Sequence, residues 1–387
     1  MEWTFTDEQK ELRRTVRRFV DEELRPAADG IDKQHKIPDR LISMMGELGF
    51  LGVVFPPEYD GAGMGETGYC ILQEEISRAC ASTATFIGAH QSIGGMTIHK
   101  FGSDAQKQKY LAPMARGEMI GAYALTEPES GSDAMGMKTT AVRRGDLYIL
   151  NGTKIWITNG GLADVVAVFC NVKGESPDDS GPSAFIVEKT FPGFSVGKVE
   201  EKMGIRGSNT TELIFEDLEV PAENLLGAVG QGARFAFGVL DVGRLGLAAA
   251  TVGTAKESVD RCVAYAGQRQ AFGQPIQNFQ AIQFMLAEMA ADTYAMESMV
   301  YRTAWLCDQG EPFSRESAIC KMFCSEGLDR IVDKAVQLHG GMGYSAEMWP
   351  ERFYRDARIN RIFEGTNEIQ RLVIARDVLK RGGYQAR

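Results

Sequence analysis

The hydrophobic period changes twice along this chain, and that double change limits the folds open to it. Residues 1 to about 119 read as helical. Thr6-Asp7-Glu8-Gln9 form a capping box, and behind it Leu12, Val16, Phe19, Val20 and Leu24 recur at the helical period as far as Pro26. Further helices are expected around 40–48, 69–78, 91–101 and 105–114. From about 120 to 229 the pattern is that of short strands. Segments 147–150 and 154–158 flank Asn151-Gly152, the strongest short hairpin signal. Segments 165–169, 184–187 and 212–215 are further strand candidates, and 174–182 reads as a surface loop. From about 230 the helical period returns, with Ile282, Met285, Leu286, Met289, Thr293, Met296 and Val300 in one stripe. After Gly310-Glu311-Pro312, Ser314 is placed to cap a second long helix, with Ile319, Met322, Phe323, Leu328, Ile331, Val332 and Val336 inward and Gly340-Gly341 ending it. Long antiparallel helices of this kind form a bundle. The expected fold is multi-domain α+β: a helical domain (1–119), a β-domain of short antiparallel strands (120–229), and a four-helix-bundle-like domain (230–387).

At 387 residues the chain exceeds one small core, and 44% apolar with 24% charged residues fits an ordinary soluble globular protein. The net charge is −10 with no basic stripe, so nucleic-acid binding has no electrostatic support. Seven scattered cysteines read as free thiols in a reducing compartment. Cys320 and Cys324 lie one helical turn apart without the further ligands zinc needs, so no metal site is expected. The acidic start Met1-Glu2-Trp3-Thr4-Phe5-Thr6-Asp7-Glu8 lacks a signal-peptide core, and no stretch approaches the ~20 apolar residues of a spanning helix. A cytoplasmic protein, or a processed mitochondrial matrix protein, is the expectation.

Several segments carry chemistry. In Phe363-Glu364-Gly365-Thr366 a carboxylate stands between a bulky apolar residue and a glycine, where a sharp turn can hold it in a dry pocket. Desolvation raises its pKa and strengthens the ionised form as a base. In the run from Ala122 to Asp133, hydroxyls and a Gly131-Ser132 step offer what a polar ring edge or diphosphate needs, although a self-capped loop looks alike. Trp156-Ile157-Thr158 ends a strand, with an indole able to cover a flat ring, although a strand tryptophan is more often core. Arg269-Gln270-Ala271-Phe272-Gly273, Gln280 and Gln337-Leu338-His339-Gly340-Gly341 combine an arginine fork with amides and glycines that admit a diphosphate. His339 reads as a helix C-terminal cap rather than a base. Gly63-Met64-Gly65-Glu66-Thr67-Gly68 matches the dinucleotide fingerprint only formally, since no strand precedes it.

Taken together these segments resemble the acyl-CoA dehydrogenase family over essentially the whole chain. The stretch from Ala124 to Gly136 is similar to the first family signature, and Gln337 through Gly340-Gly341-Met342-Gly343-Tyr344 and Glu347 to Arg352 and Asp356 to the second. Trp156-Ile157-Thr158 stands between them in family order. The resemblance implies non-covalent FAD, with Tyr123, Leu125, Thr126, Gly131, Ser132, Trp156, Ile157 and Thr158 around the isoalloxazine. It implies a homotetramer in which Arg269, Phe272, Phe279, Gln280, Gln337, Gly340 and Gly341 reach the neighbouring subunit's cofactor, while Thr366 and Glu368 close over the cofactor beside Glu364.

The activity implied is α,β-dehydrogenation of an acyl-CoA thioester, with a short or branched short acyl chain, to the trans-2-enoyl-CoA. Glu364 removes the α-proton, the β-hydrogen leaves as hydride to the flavin, and an electron-transferring flavoprotein reoxidises it. One family branch carries its base just before an arginine in the helix after the β-domain. The matching stretch here is Asp241-Val242-Gly243-Arg244, so the base stays at Glu364 and the chain looks more like short-chain members. Ser132, Asp241, Arg244 and Gly365 are the implied substrate contacts. Oxidase and nitroalkane-oxidising relatives, and a non-catalytic protein of this fold, remain the alternatives.

Overall fold

The structure is a computed structural model that describes residues 4–384, so Met1-Glu2-Trp3 of the acidic N-terminal segment lie outside the described residues. Helix α1 (Asp7–Phe19) starts with the expected capping box: Gln9 N donates to Thr6 Oγ1 (3.2 Å) and Thr6 N to Gln9 Oε1 (3.0 Å). The helical run does not stop at Pro26. A π turn at Val20–Leu24 leads into α2 (Arg25–Gln34), where Pro26 sits in the first turn and its missing N–H removes no helical bond. Then come α3 (Asp39–Glu47), α4 (Gly65–Ser77), α5 (Ala81–Ile87), α6 (Met96–Phe101) and α7 (Asp104–Ala115), with π-helical Gly88–Gly95 joining α5 to α6. The fingerprint-like run at 63–68 is the start of α4. The Asp308 carboxylate fills that helix end, accepting from Glu66 N (2.6 Å) and Thr67 N (3.0 Å).

The middle region is one sheet. Its strands are β1 (Gly121–Ala124), β2 (Thr140–Arg144), β3 (Leu147–Thr158), β4 (Val165–Val172), β5 (Gly181–Glu188), β6 (Phe194–Val199), β7 (Thr210–Pro221) and β8 (Leu225–Leu226). The order is β6-β7-β3-β2-β4-β5-β8, with β1 also on β4. Most pairings are antiparallel, but β1 and β2 both run parallel to β4. Asn151-Gly152 is not a hairpin turn. Both flanks belong to β3, whose partner is the equally long β7, and the pair forms a bulge: the register shifts between Leu150 and Gly152. Asn151 Oδ1 accepts from Asp217 N (2.8 Å) and its Nδ2 donates to Asp217 Oδ1 (3.0 Å), which pins the bulge. The chain reverses earlier, at Gly145 (φ 62), between β2 and β3.

The C-terminal region is built on α8 (Gly232–Gln268), α9 (Gln280–Asp308) and α10 (Ser314–His339). Between α8 and α9 lies a two-stranded hairpin, β9 (Gln270–Ala271) with β10 (Gln274–Pro275). The short helices α11 (Gly341–Tyr344) and α12 (Trp349–Ala357) follow, and α13 (Asn367–Arg381) closes the bundle against α10. Phe313, not Ser314, occupies the cap of α10, and Ser314 is its first residue. Among the described residues α8 is the one helix long and apolar enough to cross a membrane, and most of it is buried here as the central core helix. One core unites the lobes: Cys70 and Ile71 of α4 pack with Leu245, Ala248, Ala249 and Val252 of α8.

That α4–α8 seam depends on Gly253, where a built Cβ would collide with the Glu74 carbonyl oxygen. Gly253→Val is expected to destabilise the protein by about 2 kcal/mol or more through overpacking, although valine is the better helix former. A denaturant titration that leaves the midpoint unchanged would show that the two helices are free to separate.

Candidate active site

Glu364 lies in the turn between the 3₁₀ segment Arg358–Arg361 and α13. Its backbone is left-handed (φ 55), and so is that of Gly365 (φ 87). A side chain in that region costs on the order of 1 kcal/mol or more, so surrounding bonds must hold it there. Three elements do so. Arg244 of α8 donates through Nε to the Glu364 carbonyl (3.2 Å). Lys321 of α10 donates through Nζ to the Gly365 carbonyl (2.9 Å). Gln370 of α13 reaches back to the Gly365 carbonyl (2.9 Å) and, more weakly, to that of Glu364 (3.4 Å). Thr366 then caps α13, its hydroxyl accepting from Ile369 N at 3.4 Å.

The Glu364 carboxyl points inward. Its Oε2 is buried without a hydrogen-bond partner among the described residues. A Cβ built at Gly243 would stand 2.6 Å from that oxygen and 2.9 Å from Ile93 Cγ2, so only glycine at 243 leaves the carboxyl its space. Burial pushes the Glu364 pKa up to about 7, with the Arg244 and Lys321 charges opposing it. A carboxyl poised near neutrality in a dry site is what a general base requires. Arg244 is itself buried and held by Asp241, Nη1 to Oδ1 at 3.0 Å. The structure thus brings Glu364, Gly365, Arg244 and Asp241 together. Ser132 lies on an exposed loop.

A second cluster joins the 122–133 segment to β3. Ile155 N donates to the Thr126 carbonyl (3.0 Å). Beneath that bond a buried ion pair links Lys154 Nζ to Glu127 Oε1 (2.7 Å), and the same amine donates to the Leu125 carbonyl (2.9 Å). Burial would raise the Glu127 pKa, but bonds from Lys154, Thr139 N and Lys138 N outweigh it and hold the carboxylate below its usual value. Past Lys154 a second register shift in β3 gives Trp156 a left-handed backbone (φ 60). Its indole is therefore 55% exposed, against the core placement usual for a strand tryptophan, while Ile157 is buried and Thr158 half-buried. Tyr123 turns inward, its hydroxyl donating to the Ala236 carbonyl of α8 (3.2 Å).

The third group surrounds an open cleft of about 440 Å³ lined by Tyr265, Arg269, Gln337, His339, Gly340 and Gly341 among others. Nearby, Phe272 at the β9–β10 tip is 95% exposed with φ 51, stacked edge-on against Phe279 (6.0 Å), and Gln280 is exposed at the start of α9. His339 is the last residue of α10 and Gly340 takes the cap position, unlike the expected histidine cap; the His339 Nδ1 bonds the Ala335 carbonyl within the helix (2.8 Å) and its ring stacks on Tyr265 (4.0 Å). Glu368 is exposed in the first turn of α13. All seven cysteines are free, and no cluster of metal-ligating side chains occurs among the described residues.

Models of the N-terminal, middle and C-terminal domains of acyl-CoA dehydrogenases match residues 6–118, 122–218 and 230–379. The chain belongs to the acyl-CoA dehydrogenase family. The short-chain specific acyl-CoA dehydrogenase of Rattus norvegicus mitochondria is 47% identical over 369 residues, covering 95% of this chain and 89% of that protein. Among solved structures, a chain in that of the electron transferring flavoprotein of Acidaminococcus fermentans matches with a TM-score of 0.96 at 43% identity, covering 98% of this chain and 100% of that one. The acyl-CoA dehydrogenase of Bacillus anthracis complexed with FAD matches at 0.93 and 45% identity, covering 98% and 68%. As an acyl-CoA dehydrogenase the chain is an oxidoreductase.

Sequence reasoning missed three members of these clusters: Lys321, Gln370 and Lys154. A signal for Lys321 existed, because it interrupts the inward row Ser317, Cys324 and Leu328 of α10 with a charge. Lys154→Met should leave Glu127 buried and unpaired, lowering stability by about 3–5 kcal/mol. Adding Glu127→Gln should recover part of that loss, and equal denaturation midpoints for single variant and wild type would contradict the pair's role.

Proposed function

We propose that this chain is an FAD-dependent acyl-CoA dehydrogenase that forms a trans-2-enoyl-CoA from a short or branched short acyl-CoA thioester, with Glu364 as the base. The observation that carries the reading is the buried, unpartnered Glu364 Oε2, near neutrality on a clamped left-handed turn. The ionised carboxyl takes the α-proton. The Glu364 N–H donates to the thioester carbonyl, so charge building on that oxygen meets a fixed dipole rather than mobile water. Arg244 and Asp241 border the acyl end, and Gly365 and Ser132 complete the thioester and pantetheine contacts. A short acyl chain is supported by the likeness to the short-chain rat enzyme.

The residues suit FAD. Trp156 presents an exposed indole face beside half-buried Thr126 and Thr158, and a side chain added at Gly131 would meet nothing within 4 Å. Tyr123, Leu125, Ser132 and Ile157 form the rest of that shell. The cleft at Arg269 offers a guanidinium, an amide and bare glycine backbone, the chemistry a diphosphate takes. With Phe272, Phe279, Gln280, Gln337, Gly340 and Gly341, it would hold the neighbouring subunit's cofactor in a homotetramer, while Thr366 and Glu368 close over the cofactor beside the base. Bound FAD supplies the acceptor for the β-hydrogen. The electron-transferring flavoprotein as oxidant is supported by the likeness to the Acidaminococcus structure. The functional domains proposed are 1–119, 120–229 and 230–387.

Glu364→Gln is expected to retain FAD while butyryl-CoA bleaches its flavin on the order of a thousandfold more slowly, because an amide cannot take the α-proton. Anaerobic titration with an acyl-CoA panel checks this, and near-wild-type bleaching would remove Glu364 as base. Arg269→Ala should weaken FAD retention about tenfold and loosen the tetramer with it. Tight FAD in a stable tetramer of that variant, by gel filtration and flavin absorbance, would place the diphosphate elsewhere.

A further inference from the structure

Lys321 stands in the middle of α10 with none of its side chain exposed. Its amine donates to two neutral acceptors, the Gly365 carbonyl (2.9 Å) and Asn367 Oδ1 (2.9 Å). Asn367 is fixed in turn, its Nδ2 donating to Ser325 Oγ (3.0 Å) and Glu326 Oε1 (3.1 Å). The amine is therefore held at one place, on the carbonyl of the residue next to Glu364. A buried ammonium on neutral dipoles alone is poorly compensated. Burial lowers the Lys321 pKa to about 7, and the Glu364 charge is the largest influence holding it up. The same pair acts in the other direction, since Lys321 and Arg244 hold down the Glu364 pKa that burial raises.

A strut for the start of α13 would need only a hydrogen-bond donor at this position. An amine placed behind the base supplies a charge as well. We propose that Lys321 is a positioning residue for Glu364, holding the 364–365 turn left-handed through the Gly365 carbonyl and favouring the ionised base with its charge. This rests on Glu364 being the base.

The groups around the pair set the sign. Arg244 of α8 lies on the Glu364 carbonyl and is bound to Asp241. Glu326 of α10 and Glu368 of α13 act on Lys321, and the Tyr69 and Tyr123 hydroxyls lie within the field of Glu364. Without Lys321 only Arg244 opposes burial, so Glu364 keeps its proton to higher pH. Because only the ionised form accepts the α-proton, the acid limb of the pH profile must move alkaline.

The test uses the FAD-loaded enzyme with Lys321→Met, Lys321→Gln and Lys321→Arg. Glutamine keeps a donor without the charge, and arginine keeps the charge. Two readouts are followed against pH: kcat/KM for flavin reduction by butyryl-CoA, and the infrared carboxyl band of protonated Glu364, identified by its loss in Glu364→Gln. Both midpoints should move alkaline by about one pH unit in the methionine and glutamine variants and stay near wild type in the arginine variant. Unmoved midpoints in both neutral variants overturn the proposal, whatever happens to the rate. If Glu364→Gln reduces flavin normally, the base assignment fails and this proposal with it. An inactive Glu364→Gln beside unmoved Lys321 variants sinks the Lys321 role alone.

Discussion

The site depends on a backbone conformation that Glu364 would not adopt unaided. Two consecutive left-handed residues, Glu364 and Gly365, turn the chain so that a carboxyl enters the core rather than the solvent. Their carbonyls are gripped by Arg244 from α8, Lys321 from α10 and Gln370 from α13, so the placement of the Glu364 carboxyl is set by the packing of three helices. Local strain of this kind persists only where the surroundings over-determine it. The strain also has a use, because the same turn that aims the carboxyl removes it from water and brings its pKa near neutrality.

Two fully buried lysines divide the work of holding segments together, and they do it differently. Lys154 meets a carboxylate, Glu127, and ties the 122–133 segment to β3 below the exposed Trp156. Lys321 meets neutral dipoles and so leaves its charge to act on Glu364. A paired buried charge is chiefly a fastener, whereas one without a counter-ion in contact projects its field onto the nearest titratable group. The two sites are joined through α8, whose Ala236 carbonyl receives the Tyr123 hydroxyl and whose Gly243 clears room for Glu364.

Much of this was legible in the sequence. The helix, sheet and bundle regions follow from the period of apolar residues, and the Thr6 capping box is a purely local device. Glu364 beside Gly365 was legible because a sharp turn needs a glycine and a carboxyl held away from water needs an apolar flank. Where reading failed, the cause was non-local. Asn151-Gly152 becomes a bulge because β7 is long enough to pair with both of its flanks. That Trp156 faces outward rather than into the core, the two placements the sequence left open, is decided by a register shift that rotates it off the inward face of β3.

By itself, then, the sequence determined the order of the three regions, the pairing of Glu364 with Gly365, and the glycine at 243, which leaves no carboxyl next to Arg244 at that position. Each of these is a property of residue type and spacing over a few positions. The tertiary structure decided that Lys321 is buried, that its amine reaches the Gly365 carbonyl, and that the Glu364 Oε2 is left without a partner among the described residues. Those facts arise where α8, α10 and α13 meet, and burial and field at such a junction depend on distances between segments that no local pattern encodes.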